Sequence, residues 1–156
     1  MHKITPFLWF DGRAEEAMKF YTSIFKNSRI ISTSYWGEGT PYPKDQVKMG
    51  TFELDGQRLY AFDAGPHFKF TEAISFFIEC QTQEEVDYFW EKLSDGGEKS
   101  QCGWLKDRFG LSWQVVPEAL GRYIQDQDKV KAQKVMEAMM KMQKLDIAEL
   151  EAAYRS

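Results

Sequence analysis

The spacing of hydrophobic and polar residues changes along the chain in an order that predicts a sheet with one helix. Residues 4–10 form a strand-length apolar run, and Asp11 is expected to cap the helix that follows. In that helix one apolar face is formed by Ala17, Met18, Tyr21, Ile24 and Phe25. Three β-rich stretches come next, at residues 29–36, 47–54 and 57–62. The last two flank Asp55-Gly56, which favours a tight hairpin turn.

The same order of elements returns in the second part of the chain. Residues 74–80 form a strand, and Thr82 and Glu85 have the spacing of a capping box. The helix after them has apolar side chains at Val86, Phe89, Trp90 and Leu93. A hairpin of residues 102–106 and 111–116 closes the set. We therefore predict an internal repeat of β-α-β-β-β, with module one at residues 4–66 and module two at residues 72–117.

Residues 118–156 have helical spacing throughout and are predicted to form a helical extension. Asp146 is expected to cap its last helix. A helix over residues 130–142 is rich in methionine, with Met136, Met139 and Met140 expected to pack in the core or in a dimer interface. At 156 residues the chain is interpreted as a single domain of the α+β class, over residues 1–156.

Composition and charge argue against several classes of function. The net charge is −4 and no basic stripe alternates with aromatic residues, so we expect no nucleic-acid binding. No apolar run resembles a signal peptide or a membrane span, and Cys80 and Cys102 form no C-x-x-C pair. A cytoplasmic protein with two unpaired thiols is the expectation. Aromatic residues make up 15% of the chain, which favours a ligand pocket or a dimer interface.

Four stretches of the sequence resemble a known family. They are ITPFLWFDGRAEEAMKFYTSIFKNSRI, QVKMGTFELDGQRLYAFDAG, ISFFIECQTQEEVDYFWEKL and CGWLKDRFGLSWQVVP. The family is the PhnB-like branch of the vicinal-oxygen-chelate superfamily, which includes glyoxalase I and the bleomycin-resistance proteins. This branch is often called 3-demethylubiquinone 3-methyltransferase. The resemblance implies two βαβββ modules whose mixed sheets curl around a shared cleft, and it implies a homodimer.

The resemblance also implies where a metal would bind. In the metal enzymes of the superfamily the ligands come from the first and last strands of each module, and these positions fall on Pro6, Tyr60, Ser75 and Gln114. Proline has no ligand atom, and the other three are poor primary ligands for a divalent transition metal. We therefore expect no metal and no other cofactor. No G-x-G-x-x-G turn for a nucleotide-type methyl donor is present, so the sequence itself does not indicate a methyltransferase.

Strand alternation predicts a cleft face that is apolar and aromatic with a few polar groups, which is typical of a small-molecule site. Its expected ligand-binding members are Leu8, Tyr60, Phe62, Ser75, Phe77, Trp104 and Gln114. Four of these should line one cavity for a neutral, partly aromatic ligand: Tyr60, Ser75, Trp104 and Gln114. The alternative interpretation is that large side chains simply fill the cleft.

The sequence leaves open whether the chain is an enzyme or a binding protein that sequesters its ligand. A binding protein would present an open aromatic groove, whereas an enzyme would present a closed pocket with a titratable group of perturbed pKa. Candidates for that group are Glu53, Asp63 and Glu79. Cys102 could act as a nucleophile, but no histidine is near it in sequence, and a buried, inert thiol is the preferred interpretation.

Overall fold

The computed structural model describes residues 2–156, and this part of the chain forms eight strands and five helices. The first five elements are β1 (Phe7–Phe10), α1 (Ala14–Ile24), β2 (Arg29–Tyr35), β3 (Val47–Leu54) and β4 (Gln57–Asp63). The next five are β5 (Ser75–Cys80), α2 (Gln83–Ser94), β6 (Glu98–Lys99), β7 (Trp104–Lys106) and β8 (Ser112–Pro117). The last three are α3 (Glu118–Ile124), α4 (Lys129–Met139) and α5 (Ile147–Arg155). Among residues 2–156, no helix is both long enough and apolar enough to cross a membrane.

The two halves of the chain repeat one sheet topology. The chain divides into two compact units, one ending at Lys69 and the other beginning at Phe70. The strand order is β1-β4-β3-β2 in the first unit and β5-β8-β7-β6 in the second. In each sheet the first strand is parallel to the last, and the other neighbours are antiparallel. The predicted α+β fold with a repeated βαβββ order is therefore confirmed.

Local signals in the sequence account for several of these element ends. Asp55 and Gly56 have φ values of 48° and 82°, as the predicted tight turn between β3 and β4 requires. The Thr82 hydroxyl accepts a hydrogen bond from the Glu85 N–H at 3.2 Å and so caps α2. Asp146 caps α5 in the same way, accepting from the Glu149 N–H at 3.0 Å. Each of these caps satisfies a backbone donor that the helix itself leaves unpaired.

Helix α1 is capped from a distant strand, and the expectation that Asp11 caps it is wrong. The carboxylate of Asp63, at the end of β4, accepts hydrogen bonds from the N–H groups of Arg13 and Ala14, each at 3.1 Å. Parallel pairing places Phe10 beside Asp63, which brings the carboxylate to the first turn of the helix. Burial raises the pKa of Asp63, although the backbone donors oppose this effect.

Helix α1 covers the face of the first sheet that contains Leu8. Leu8 pairs with Ala61, which in turn pairs with Gly50. A side chain at Gly50 would collide with the thioether of Met18 on α1, so the helix lies directly against this face. Leu8 and Ala61 are 6% and 0% exposed, as expected for the core beneath a helix.

The C-terminal extension has its own core and is joined to the second sheet. That core consists of Val116, Leu120, Val135, Met142, Leu145 and Leu150. The N–H groups of Cys102 and Gly103 donate to the carbonyl oxygens of Met142 and Gln143, both at 2.8 Å. Gly103 has φ 84°, and a Cβ there would lie 2.9 Å from the Val115 carbonyl oxygen, so only glycine fits this contact. The helix predicted over residues 130–142 ends at Met139, because the chain then turns to make these bonds.

The cap on α1 gives the first testable prediction. Asp63→Ala should lower the free energy of unfolding by about 1–3 kcal/mol, because it leaves backbone N–H groups without an acceptor in a buried position. Asp11→Ala is the matched control and should change stability by less than about 0.5 kcal/mol. Urea unfolding followed by circular dichroism measures both. Equal effects of the two substitutions would contradict the assignment of Asp63 as the cap.

The pH dependence of the same interaction has a definite sign. Burial raises the pKa of Asp63 on folding, so the folded protein favours the protonated carboxyl. The contribution of this preference to the free energy of unfolding is fully present below the unfolded pKa, and it is lost as pH rises through the folded pKa. Asp63→Asn keeps an acceptor oxygen but cannot titrate. Its stability relative to the unaltered protein should therefore improve as pH rises through that range.

Candidate functional site

Strand pairing in the second unit gathers four predicted site residues on one face of the sheet. Gln114 on β8 lies beside Phe77 on β5 and beside Trp104 on β7. Ser75 precedes Phe77 by two residues and so projects from the same face. We call this face, formed by Ser75, Phe77, Trp104 and Gln114, the open face of the second sheet.

The opposite face of the second sheet is covered by α2. Trp113 and Val115, which flank Gln114 in sequence, are 3% and 0% exposed. Helix α2 packs on β5, β7 and β8 and buries Val86, Trp90 and Leu93. Since successive side chains of a strand alternate between faces, Gln114 projects away from the helix. The predicted orientation of Gln114 is confirmed.

A hydrogen bond orients the Gln114 amide on the open face. Its Nε2 donates to the Ser75 hydroxyl oxygen at 2.9 Å. The amide carbonyl oxygen is then directed away from Ser75, where it can accept a hydrogen bond from another group. Gln114 is half-buried, so a bond made there is partly shielded from water.

The open face borders a cavity of about 270 Å³, which we call the apolar cavity. Its lining is mostly hydrophobic and consists of Phe77, Glu79, Cys102, Trp104, Gln114, Val116, Pro117, Glu118, Leu120, Gly121, Ile124 and Met139. The charged side chains in this lining are the two carboxylates of Glu79 and Glu118. Because it includes no lysine, arginine or histidine, the lining offers no cationic partner to an anionic ligand.

A second, more polar cavity of about 480 Å³ lies next to the first. Cys102 and Trp104 belong to the lining of both. Lys106 and Glu72 form an ion pair in the polar cavity, and their contact lowers the pKa of Glu72 and raises that of Lys106. Ser112 also lines this cavity, and its hydroxyl is buried without a hydrogen-bond partner among the described residues.

The remaining predicted site residues belong to the first unit. Tyr60 and Phe62 share a face with Phe7 and Trp9. The Phe62 ring lies 5.5 Å from that of Phe7 and 5.0 Å from that of Trp9, so this face is an aromatic cluster. Of the four residues predicted to line one cavity, Trp104 and Gln114 line the apolar cavity, whereas Ser75 contacts it only through its hydrogen bond to Gln114 and is not part of the lining. That Tyr60 lines the same cavity stays a prediction.

The placement of Leu8 on the same face as Tyr60 and Phe62 is wrong. Leu8 lies on the opposite face, beneath α1. Every residue of β1 is apolar, both Leu8 and Phe10 on one face and Phe7 and Trp9 on the other. Alternation alone could therefore not decide which of the two faces packs against the helix.

The three carboxylates proposed as titratable site groups have different roles. Asp63 caps α1, and Glu53 lies 3.4 Å from Arg29 in an ion pair of the first sheet. Glu79 alone among the three lines the apolar cavity. Its position follows from strand alternation, because it lies two residues after Phe77.

Seven of the twelve residues that line the apolar cavity were not identified from the sequence. They come from the end of β8 and the helices that follow it, and are Val116, Pro117, Glu118, Leu120, Gly121, Ile124 and Met139. Met139 was predicted to lie in a core or an interface, and it packs against the core of the extension while lining the cavity. Nothing in the local pattern shows that α3 turns back over the sheet, because that arrangement depends on contacts distant in sequence.

Comparison with solved structures defines the class of fold. A protein from Pseudomonas aeruginosa has a TM-score of 0.64 at 22% identity, over 76% of this chain and 98% of that one. The fosfomycin resistance protein FosX from Listeria monocytogenes has a TM-score of 0.55 at 18% identity, over 80% and 98%. At these identities the likeness shows the fold alone. The chain has the glyoxalase/bleomycin-resistance fold.

A sequence match then shows the family. The model of the 3-demethylubiquinone-9 3-methyltransferase family matches residues 2–116, and the chain belongs to this family. A PhnB protein from Bacillus cereus is 40% identical, with a TM-score of 0.70 over 74% of this chain and 99% of that one. The chain matches none of the curated proteins with which it was compared. The predicted PhnB-like membership is confirmed.

The two thiols differ in burial, and the expectation of a buried strand thiol is wrong for Cys102. Cys102 lies in the turn before β7 with φ 61°, is half-buried and lines both cavities. Cys80 is 0% exposed, and burial raises the pKa of its thiol to about 12. Since the thiolate is the reactive species, only Cys102 is placed to react in the folded protein.

Thiol labelling tests this geometry. Ellman's reagent should modify one thiol of the native protein, and Cys102→Ser should abolish that reaction, whereas Cys80→Ser should not. In denaturant, the unaltered protein should show two reactive thiols. A native reaction that survives Cys102→Ser would contradict the assignment of Cys102 as the accessible thiol.

Proposed function

We propose that the chain binds a small, neutral organic molecule in the apolar cavity on the open face of the second sheet. The observation that carries the proposal is the Gln114–Ser75 hydrogen bond, which holds a polar amide in place beside a mostly apolar wall. Cavities that are mostly hydrophobic, with a few oriented polar groups, are the usual form of small-molecule sites.

The chemistry of the lining indicates the class of ligand. The Gln114 carbonyl oxygen accepts a hydrogen bond, so the ligand carries an O–H or N–H donor. The rings of Trp104 and Phe77 offer flat apolar surfaces to an aromatic body. The carboxylates of Glu79 and Glu118 repel a phosphorylated or carboxylated ligand, and no arginine in the lining offsets that repulsion.

We infer that binding is independent of a metal ion. FosX from Listeria monocytogenes was solved with Mn(II) and a dihydroxypropylphosphonic acid, so metal sites do occur on this fold. In residues 2–156 of this chain, no group of three or more His, Cys, Asp or Glu side chains is placed to hold a metal. Gln114, at one of the ligand positions implied by the superfamily, donates to Ser75 at another.

An enzyme of the same superfamily is the second candidate. The observation that favours it is Glu79, whose carboxylate lines the same cavity as Gln114. A carboxylate there could accept a proton from a bound substrate. Conversion of the bound molecule by the unaltered protein, abolished in Glu79→Gln while binding is retained, would favour the enzyme. Binding by the unaltered protein without any conversion would favour a binding protein.

A ligand-binding experiment on Gln114 tests the main proposal. A thermal-shift screen of neutral aromatic alcohols and amines identifies compounds that raise the melting temperature, as binding to the native state must. For those compounds Gln114→Leu should weaken binding by about 1–3 kcal/mol, because the ligand donor loses its acceptor.

The matched control is Gln133→Leu, which makes the same change at an exposed position on α4 and should leave affinity unchanged. Binding should also survive treatment with EDTA. Equal affinities for the unaltered protein and Gln114→Leu would reject the site, and loss of binding in EDTA would reject metal independence.

We also infer a homodimer, with α4 contributing apolar contact area. Val130 and Met140 are 66% and 64% exposed, whereas Met139 packs against the core of the extension. Val130→Ser with Met140→Ser should therefore shift the protein from dimer to a monomer that is still folded, as its circular dichroism spectrum would show. Val130→Leu with Met140→Leu keeps the apolar surface and should stay dimeric. Sedimentation showing a monomer for the unaltered protein at micromolar concentration would contradict the inference.

A further inference from the structure

We propose that Gly121, on α3, determines the size of ligand that the apolar cavity accepts. The inference rests on the proposed function, because it concerns the same cavity. It assigns ligand selection to a segment of the chain that lies outside the residues matched by the family.

The wall opposite the open face is not part of the family match. That match ends at residue 116, and half of the cavity lining comes after it. The Bacillus cereus PhnB protein is covered over 99% of its length by 74% of this chain. The lining residues after residue 116 therefore lie outside the family match.

Several contacts hold this wall in a defined position. Leu120 on α3 packs with Val116 on β8 and with Leu150 on α5 in one buried core. The two backbone hydrogen bonds from Cys102 and Gly103 join the sheet to the segment before α5. A wall held on both sides keeps its shape when a ligand enters, so its side chains can select ligands by size.

One face of α3 is directed at the cavity, and Gly121 lies in the middle of it. Pro117, Leu120, Gly121 and Ile124 follow the i, i+3, i+4, i+7 spacing of a single helix face, and all four line the cavity. Gly121 is exposed, and a Cβ atom there would have nothing within 4 Å. A side chain at this position would therefore stand at the open edge of the cavity, where it would narrow the entrance.

The backbone does not require glycine at this position. Gly121 lies inside a helix and is not among the residues with positive φ. Glycine destabilises a helix interior relative to alanine, so local stability favours a side chain. The absence of a side chain at Gly121 leaves room for the ligand.

Three neutral probes of increasing length test the inference: phenol, indole and 4-phenylphenol, each with one O–H or N–H donor. Dissociation constants are measured by NMR titration for the unaltered protein and for Gly121→Leu. Gly121→Leu should bind phenol as the unaltered protein does, and should bind 4-phenylphenol at least tenfold more weakly. Its melting temperature should be equal or higher, which separates lost binding from lost folding.

Two further variants sharpen the result. Gly121→Ala stabilises the helix but fills little space, so it should raise the melting temperature with a small effect on 4-phenylphenol. Arg122→Leu adds a leucine at the next, exposed position of α3 and should not change the affinity for any probe.

Equal affinities of Gly121→Leu and the unaltered protein for all three probes would overturn the inference alone. Failure of the unaltered protein to bind any probe at millimolar concentration would overturn the proposed function, and the inference with it.

Discussion

The parallel pairing of β5 with β8 is the constraint on which the candidate site depends. It places Ser75 beside Ser112 and Phe77 beside Gln114, and the antiparallel pairing of β7 then adds Trp104 to the same face. A shift of β8 by one residue would send Ser112 and Gln114 to the face under α2. The buried Trp113 and Val115 oppose such a shift, because it would move both of them from the core to the open face.

The same strand also connects the family fold to the extension. Val116, at the end of β8, is part of the buried core that holds α3, α4 and α5 together. A strand that presents Gln114 to the cavity and Val116 to the extension fixes the distance between the polar amide and the apolar wall. One half of the site is thus supplied by the repeated βαβββ architecture, and the other half by helices that the matched family segment does not include.

Features set by local spacing could be predicted from the sequence, and features set by distant contacts could not. The Asp55-Gly56 turn, the Thr82 cap and the projection of Gln114 away from α2 all follow from residues close in the chain. The cap on α1 depends on Asp63 from another strand. The face occupied by Leu8 was ambiguous because both sets of positions on β1 are apolar. Likewise, no pattern within α3 shows that Gly121 borders a cavity.

A crystal structure of the protein with indole is a direct test of the proposed site, because it locates the ligand without reference to any variant. We expect indole in the apolar cavity, between Trp104 and Gly121, with its N–H donating to the carbonyl oxygen of Gln114 and the Gln114–Ser75 hydrogen bond retained. Indole bound instead on the aromatic face of Tyr60 and Phe62, or an apolar cavity that stays empty at saturating indole, would contradict it.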